Sequence, residues 1–298
     1  MSPNDGIKTC QFNLTSLLLY SSYLRLSETG YSTLTLSLHF FHIDLFTYRS
    51  EAFQIITMSD FTELNRQYFS KLASSYREEF RQGQELIFNE VQGRRAWISD
   101  TWNDTKSGKG HKIRMLEYAC GPGAVSAALA PFVDHIVGID VSEEMIKQFN
   151  INAQETGFAD KMHGYHGDLL AEPVPDHLSG PEFFDFDLVA VSMALHHFDK
   201  PDMALQRLGE RLKKDGMFLI IDLVLEDEHS SNSLQKAFPQ ASATVRTHGF
   251  TSDSMQKLFE EAGMGQNFDY KVIQEPIVFR KEGKEIRKTV FIARSQRS

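Results

Sequence analysis

Cysteine is scarce in this 298-residue chain, which has only Cys10 and Cys120. The two are far apart in sequence and form no CxxC pair, so they cannot build a disulfide framework or a zinc ribbon. This cysteine usage predicts a reducing, intracellular compartment. We expect the cytoplasm, with the mitochondrion as the less favoured alternative.

Positive charge is also in short supply. The chain has 31 lysines and arginines against 40 aspartates and glutamates, which gives a formal net charge of −9. No run of lysine or arginine provides the basic surface of a dedicated nucleic-acid binder. We therefore expect a small-molecule partner and no nucleic acid, while the sequence leaves the oligomeric state open.

Long hydrophobic runs are missing as well. The apolar stretch at residues 17–20 is interrupted by Ser21, Ser22 and Arg25, well short of the roughly 18 apolar residues that a membrane span requires. The same region lacks the basic start of a signal peptide and is too acidic for a transit peptide. We predict no membrane span, and we predict that residues 1–57 form an extension of uncertain order.

Regular patterns begin after Met58. Apolar residues recur at helical spacing from Asp60 as far as Tyr76, and residues 84–99 present a second apolar face that Gly93 weakens. A Ser-Gly-Lys-Gly linker follows at residues 107–110. The sequence thus predicts a helical segment over residues 58–110.

From residue 111 onward, short apolar runs alternate with helical segments. This alternation predicts an α/β fold in which helices cover both faces of a parallel sheet. Two later runs flank a charged loop at residues 280–284 without a helix between them, so we expect antiparallel neighbours there. The predicted strands cover residues 113–119, 135–140, 162–167, 187–192, 217–224, 268–274 and 289–293.

Candidate binding residues follow the first three strands, at the sheet edge where parallel sheets bind ligands. Glu117 precedes a turn in which Gly121 and Gly123 lack a Cβ, so a ligand can approach the backbone N–H groups that begin the next helix. Asp140 ends the second strand, and its carboxylate is suited to accept hydrogen bonds from two ribose hydroxyls. Asp168 follows the third strand, where its carboxylate can bind an exocyclic adenine amine.

These segments resemble the class I S-adenosylmethionine-dependent methyltransferases. LEYACGPG at residues 116–123 resembles the first motif of that family, and VGIDVS at residues 137–142 is similar to its second-strand motif. Gly167-Asp168 resembles the adenine-contacting position, and residues 184–198 and 208–222 resemble two later motifs. The resemblance covers residues 60–294 and is strongest to enzymes that methylate small molecules in quinone pathways and fungal natural-product biosynthesis.

The resemblance implies a Rossmann-like, seven-stranded, mostly parallel sheet whose last strand is antiparallel. It also implies that residues 58–110 form a helical lid, that residues 111–298 bind S-adenosyl-L-methionine, and that Tyr68, Phe69 and Tyr76 close over this cofactor. Core packing explains the same aromatic stripe equally well. The predicted cofactor-binding residues are Glu117, Gly121, Gly123, Asp140, Met145, Asp168 and Ser192.

Two rival ligand classes are less well matched. Nicotinamide dinucleotide binding needs a third glycine where this chain has Ser126. A resemblance to the enzymes that methylate amino groups of DNA or RNA would require an Asn/Asp-Pro-Pro-aromatic motif after the fourth strand. This chain has Ser192 and Met193 there. The chain also departs from the methyltransferase motif at one position. It has Ala119 where that family often has its first glycine.

Histidines are the candidate catalytic residues. Methyl transfer to a hydroxyl requires that its proton leave, and a histidine is suited to accept that proton. The candidates are His196 and His248, with His197 beside the first, although the histidine pair could instead cap a helix and His248 could be a solvated loop residue. We predict no metal, because no third ligand accompanies His197 and Asp199 beyond a lone acid, Asp222, after the fifth strand.

The sequence therefore predicts a methyltransferase that uses S-adenosyl-L-methionine and acts on a small molecule in secondary metabolism. We expect O-methylation of an aromatic or polyketide-like acceptor. Two alternatives stay open: methylation of nitrogen or carbon, and a non-catalytic protein that binds the cofactor to regulate or scaffold a partner.

Overall fold

A computed structural model describes residues 60–226, 238–281 and 284–298 of the chain. The predictions for residues 1–57 lie outside these ranges. The helices are α1 (Asp60–Glu79), α2 (Arg81–Gly93), α3 (Arg95–Ile98), α4 (Ala124–Leu129), α5 (Glu143–Glu155), α6 (Pro201–Gly209), α7 (Pro239–Ala243) and α8 (Ser252–Glu261). The strands are β1 (Arg114–Tyr118), β2 (His135–Asp140), β3 (Met162–His166), β4 (Phe186–Ser192), β5 (Leu212–Leu223), β6 (Gln266–Val272), β7 (Ile277–Lys281), β8 (Lys284–Lys288) and β9 (Val290–Gln296).

Seven of these strands form one sheet in the order β3-β2-β1-β4-β5-β9-β6. Strands β1 to β5 pair in parallel, and β9 runs antiparallel to its neighbours β5 and β6. This arrangement confirms the Rossmann-like fold and its antiparallel last strand. The strand order reverses between β1 and β4, so a crevice is expected at their carboxyl ends.

The sheet is buried on both faces, which explains why its strands are almost continuously apolar. On one face, α2, α4 and α5 pack over Met115, Ile136 and Leu219. On the other face, α6 and α8 cover Val189 and Ile220. The carboxyl ends of the strands are therefore held in place by hydrophobic packing on both faces of the sheet.

Two strand predictions were wrong. Strand β5 begins at Leu212 rather than at residue 217, because Leu212 pairs with Phe186. The strand then continues through Asp215, whose backbone is left-handed with a φ of 62°. Residues 280, 281 and 284 of the predicted charged loop belong to a second, two-stranded sheet formed by β7 and β8. Its charged residues concealed the alternating apolar pattern by which a strand is recognised.

Gly123 directly precedes α4 and lets the chain lie close to Phe149 of α5. Its φ is 83°, and a Cβ added there would come within 2.7 Å of the Phe149 ring. Gly110 has nearly the same φ of 84°, but a Cβ there would meet no atom within 4 Å.

We therefore expect Gly123→Ala to destabilise the protein more than Gly110→Ala. Both variants carry the left-handed backbone cost of about 1 kcal/mol, whereas only Gly123→Ala adds a core overlap of about 1–3 kcal/mol. Urea unfolding of the two variants measures the difference. Equal destabilisation would show that Phe149 does not restrict this position.

Candidate active site

A cavity of about 1110 Å³ opens at the carboxyl ends of β1, β2 and β4, where the strand order reverses. Its floor is formed by residues that follow these strands, and its roof is formed by α1, α2 and part of the β7–β8 hairpin. Pockets that hold small ligands are about 300–1,000 Å³. The cavity is therefore large enough for a nucleoside-sized ligand and a second small molecule together.

Asp140 lies at the centre of the cavity floor and is 7% exposed. Its Oδ2 accepts a hydrogen bond from the backbone N–H of Gly121 at 2.9 Å, and its Oδ1 accepts one from Ser142 N–H at 2.8 Å. A carboxylate has about four acceptor sites, so each oxygen keeps one site for a ligand. Burial raises the pKa of Asp140 to about 6, although the two backbone N–H groups oppose this shift.

Glu117 lies behind the turn and orients the helix that follows it. Its Oε2 accepts hydrogen bonds from Ser126 N–H at 2.9 Å and from Ser126 Oγ–H at 2.5 Å. Ser126 is the residue that stands where a dinucleotide site would need its third glycine, and here its hydroxyl holds the carboxylate. Burial raises the pKa of Glu117 to about 7.

The turn between β1 and α4 keeps a glycine-like backbone in spite of Ala119. Ala119 has a φ of 51° and Gly121 a φ of 49°, and both line the cavity. A Cβ at Gly121 would meet no protein atom within 4 Å. Gly123, predicted as a cofactor-binding residue, does not line the cavity, and the space at its missing Cβ is filled by Phe149.

Asp168 lies on the same cavity, 8% exposed, and its carboxylate is held by its neighbours. Oδ1 accepts hydrogen bonds from the Tyr118 hydroxyl at 2.5 Å and from Leu170 N–H at 2.7 Å. Met145, buried on α5, and Ser192, at the end of β4, also line the cavity. The Ser192 Oγ is buried and has no hydrogen-bond partner among the described residues.

These features fit an adenosine-containing cofactor. Asp140 offers two acceptor sites to a pair of vicinal hydroxyls, and Gly121 leaves room for a ligand against the backbone. Asp168 offers a further acceptor at a separate point of the cavity. Of the predicted cofactor-binding residues, the structure places all but Gly123 on this one surface.

His196 forms a dyad with Asp222. Its Nδ1 lies 2.7 Å from Asp222 Oδ1, and its backbone N–H donates to Asp222 Oδ2 at 3.2 Å. His196 is 5% exposed and lines the cavity, while Asp222 is fully buried. A carboxylate at Nδ1 favours the tautomer with hydrogen on that nitrogen, which leaves the Nε2 lone pair able to accept a proton.

His197 packs against His196, with 4.0 Å between the ring centroids. Its Nδ1 lies 2.6 Å from the backbone carbonyl oxygen of Thr244, so this nitrogen carries the hydrogen. Burial holds the pKa of His197 well below its usual value, with His196 as a second cause. His197 is therefore neutral and a weak base.

His248 lies away from the cavity. Its side chain is exposed, and it does not contribute to the cavity lining. The geometry thus supports His196 as a proton acceptor and gives no such support to His248.

Helix α1 places a row of aromatic rings on the roof of the cavity. Phe69 contacts His197 at 5.1 Å between ring centroids, and Tyr76 contacts Phe80 at 4.6 Å, which in turn contacts Phe279 of the hairpin at 6.0 Å. The Ser70 hydroxyl lies 2.9 Å from that of Ser142, the residue that caps α5. The roof is therefore tied to the loop that follows Asp140.

Two other kinds of site are absent from residues 60–226, 238–281 and 284–298. No helix there is both long and apolar enough to cross a bilayer. No group of three or more His, Cys, Asp or Glu side chains in those ranges is arranged to hold a metal ion.

Sequence reasoning missed the functional contacts that join distant segments. Asp222 was noted only as a lone acid, and Tyr118 was not singled out, although each hydrogen bonds to a predicted site residue. Their position directly at the ends of β5 and β1 was the available signal. Thr244 and Phe279 gave no comparable signal, because neither follows a strand of the main sheet at its functional edge.

A family model described as "Methyltransferase domain" matches residues 66–264. An uncharacterized methyltransferase of Schizosaccharomyces pombe is 28% identical over 167 residues, 56% of each chain. A demethylmenaquinone methyltransferase of Leptospira interrogans is 24% identical over 160 residues, 53% of this chain and 59% of that protein. The chain thus spans about half the length of the curated relatives it matches.

Solved structures share the fold at low sequence identity. A SAM-dependent methyltransferase from Anabaena variabilis superposes with a TM-score of 0.56 at 16% identity, covering 80% of this chain and 96% of the other. A magnesium protoporphyrin IX methyltransferase from Synechocystis PCC 6803, solved with bound SAH, gives a TM-score of 0.53 at 14% identity. That match covers 80% of this chain and the whole of the other.

Proposed function

The chain belongs to the methyltransferase domain family, and we propose that it transfers a methyl group from S-adenosyl-L-methionine to oxygen of an aromatic or polyketide-like small molecule. The observation that carries this proposal is a single cavity that joins two acidic side chains at strand ends to a His-Asp dyad. The family match, the candidate cofactor-binding residues and the aromatic residues of the roof all support this proposal.

The cofactor half of the proposal rests on Asp140 and Asp168. Asp140 would accept hydrogen bonds from the two ribose hydroxyls, and Asp168 would accept one from the adenine amine. Met145 is an apolar neighbour for the purine ring, and Ser192 offers an unpartnered hydroxyl. When bound, the cofactor supplies a methyl group that its positive sulfur activates for in-line displacement.

The protein's own task is then alignment, exclusion of water and removal of a proton. The roof formed by α1 keeps water from the reacting atoms, and we propose that residues 58–110 act as the lid. His196 accepts the proton of the acceptor hydroxyl at Nε2, and Asp222 stabilises the resulting imidazolium. The low pKa of His197 makes it a poor alternative base.

The acceptor half of the proposal rests on the aromatic roof. Phe69, Tyr76, Phe80 and Phe279 form consecutive ring contacts from the His pair to the hairpin. Aromatic rings favour planar, apolar partners through offset or edge contacts. The name of the Leptospira relative, a demethylmenaquinone methyltransferase, also points to a ring-containing acceptor.

Cofactor affinity should fall as the pH falls through about 6. The raised pKa of Asp140 means that its carboxylate gains a proton in this range, and the protonated form loses an acceptor site. Calorimetric titration of S-adenosylhomocysteine between pH 5 and 8 measures the effect.

The Glu117 carboxyl interacts with Asp140, and its own pKa is raised to about 7, so it also gains a proton as the pH falls through this range. The electrostatic interaction with His166 opposes the rise in the pKa of Asp140. Asp140→Asn provides the control, since its affinity should show no step near pH 6. An equal step in the variant would assign the pH dependence to another group.

A labelled-methyl assay tests the function itself. Purified protein is incubated with methyl-labelled S-adenosyl-L-methionine and with matched panels of phenols, amines and carboxylates. We expect label on phenolic oxygen. Label on nitrogen or carbon alone would contradict O-methylation, and cofactor binding without transfer to any acceptor would favour a regulatory or scaffold role.

A further inference from the structure

A buried hydrogen bond joins two residues of the cofactor cavity across an intervening strand. Tyr118 ends β1 and Asp168 follows β3, and β2 lies between these strands in the sheet. The Tyr118 hydroxyl nevertheless donates to Asp168 Oδ1 at 2.5 Å. Both residues line the cavity, and Tyr118 is only 3% exposed.

The contact fixes one oxygen of the carboxylate. Oδ1 also accepts Leu170 N–H at 2.7 Å, so two donors occupy its two acceptor sites. Within the described part of the chain, no hydrogen bond to Oδ2 is found. Rotation of the carboxylate would break both contacts, so Oδ2 is the oxygen that keeps its acceptor sites available.

Tyr118 remains a donor over the whole working pH range. Burial raises the pKa of its hydroxyl well above the ordinary value, and the neighbouring Asp168 has the same effect. Its ring is held in place by an edge contact with Phe198, at 5.7 Å between centroids. The tyrosine is therefore a rigid support for the carboxylate.

We propose that Tyr118 is a positioning residue that makes the cavity selective for a 6-amino purine over a 6-oxo purine. It does so by fixing Asp168 so that Oδ2 accepts a hydrogen bond from the amine. A 6-oxo group at the same place would set two acceptors against each other, which a polar site rejects strongly. This inference rests on the proposed function, because it assumes an adenosine cofactor.

Calorimetric titration with S-adenosylhomocysteine and its 6-oxo analogue, S-inosylhomocysteine, tests the proposal. Tyr118→Phe removes only the hydroxyl and keeps the ring. We expect its affinity for S-adenosylhomocysteine to fall about tenfold, because the Asp168 side chain is then ordered only when the ligand binds, while the affinity for the 6-oxo analogue stays the same or rises. The preference between the two ligands therefore shrinks.

Tyr270→Phe is the matched control. Tyr270 also donates its hydroxyl, to the Phe250 carbonyl at 3.2 Å, but it does not line the cavity. Its variant should keep the wild-type preference. An equal loss of affinity for both ligands in Tyr118→Phe, or no loss for either, would overturn the proposal.

Asp168→Asn gives a second test that does not depend on the first variant. It should reduce the preference in the same direction, and its effect and that of Tyr118→Phe should not add in the double variant. Additive effects would contradict a shared contact. A wild-type protein that binds neither ligand would contradict the proposed function itself, which separates the two failures.

Discussion

Asp140→Ala should abolish measurable binding of S-adenosylhomocysteine, with at least about a hundredfold loss of affinity. The variant would lose the two ribose contacts that we propose for Asp140, and hydrogen bonds to a charged group contribute about 1.5–3 kcal/mol each. It also leaves the N–H groups of Gly121 and Ser142 without their acceptor, so the turn that carries the ligand loses its support.

Two further variants separate binding from folding. Asp140→Asn keeps an acceptor oxygen and the side-chain shape, so it should bind more weakly than wild type but better than Asp140→Ala. Asp134→Asn alters an aspartate at the opposite end of the same strand, where Oδ2 accepts Ile113 N–H at 2.8 Å. It should bind normally. Normal binding by Asp140→Ala, measured by calorimetry, would remove the ribose assignment.

The second large effect is expected at His196. His196→Gln should lower kcat with a phenolic acceptor by about 10²–10⁴, the contribution usual for a general base. Affinity for S-adenosylhomocysteine should be nearly unchanged, because the residues that we propose to bind the cofactor lie elsewhere on the cavity. Steady-state kinetics at saturating cofactor, together with calorimetry, measure the two quantities on one sample.

Asp222 and His248 supply the comparison. Asp222→Asn should lower kcat in the same way, because an amide no longer favours the tautomer with hydrogen on Nδ1 or stabilises the imidazolium. His248→Ala should leave kcat close to wild type, since that side chain is exposed outside the cavity. A strong loss in His248→Ala with an active His196→Gln would reverse the assignment.

Sequence reasoning grouped the proposed cofactor-binding residues correctly on one cavity because they belong to local patterns. Asp140 and Asp168 each follow a short apolar run directly, and parallel strands bring such positions to one edge. The turn after β1 is likewise contained in eight consecutive residues. Strand periodicity and turn chemistry were therefore sufficient to place these residues together.

The catalytic half could not be placed in the same way. His196 and Asp222 are 26 residues apart and meet because β4 and β5 pair in a register that sets Ser192 beside Ile221. Register depends on side-chain packing across the whole sheet, which a single sequence does not display. The exposure of His248 is likewise a property of tertiary packing.

Gly123 illustrates a correct residue with a different physical role. The motif marked it as a place where a ligand approaches the backbone, but its missing Cβ accommodates the Phe149 ring. Both demands select glycine, so the sequence pattern is the same in the two cases. Only the packing between α4 and α5 distinguishes them.

A crystal structure of the protein with S-adenosylhomocysteine and a phenolic acceptor tests the central claim most directly. The account predicts ribose hydroxyls on Asp140, the adenine amine on Oδ2 of Asp168, and the acceptor oxygen within hydrogen-bond reach of His196 Nε2. Electron density for the nucleoside at any other surface, with the two carboxylates left free of it, would contradict the account.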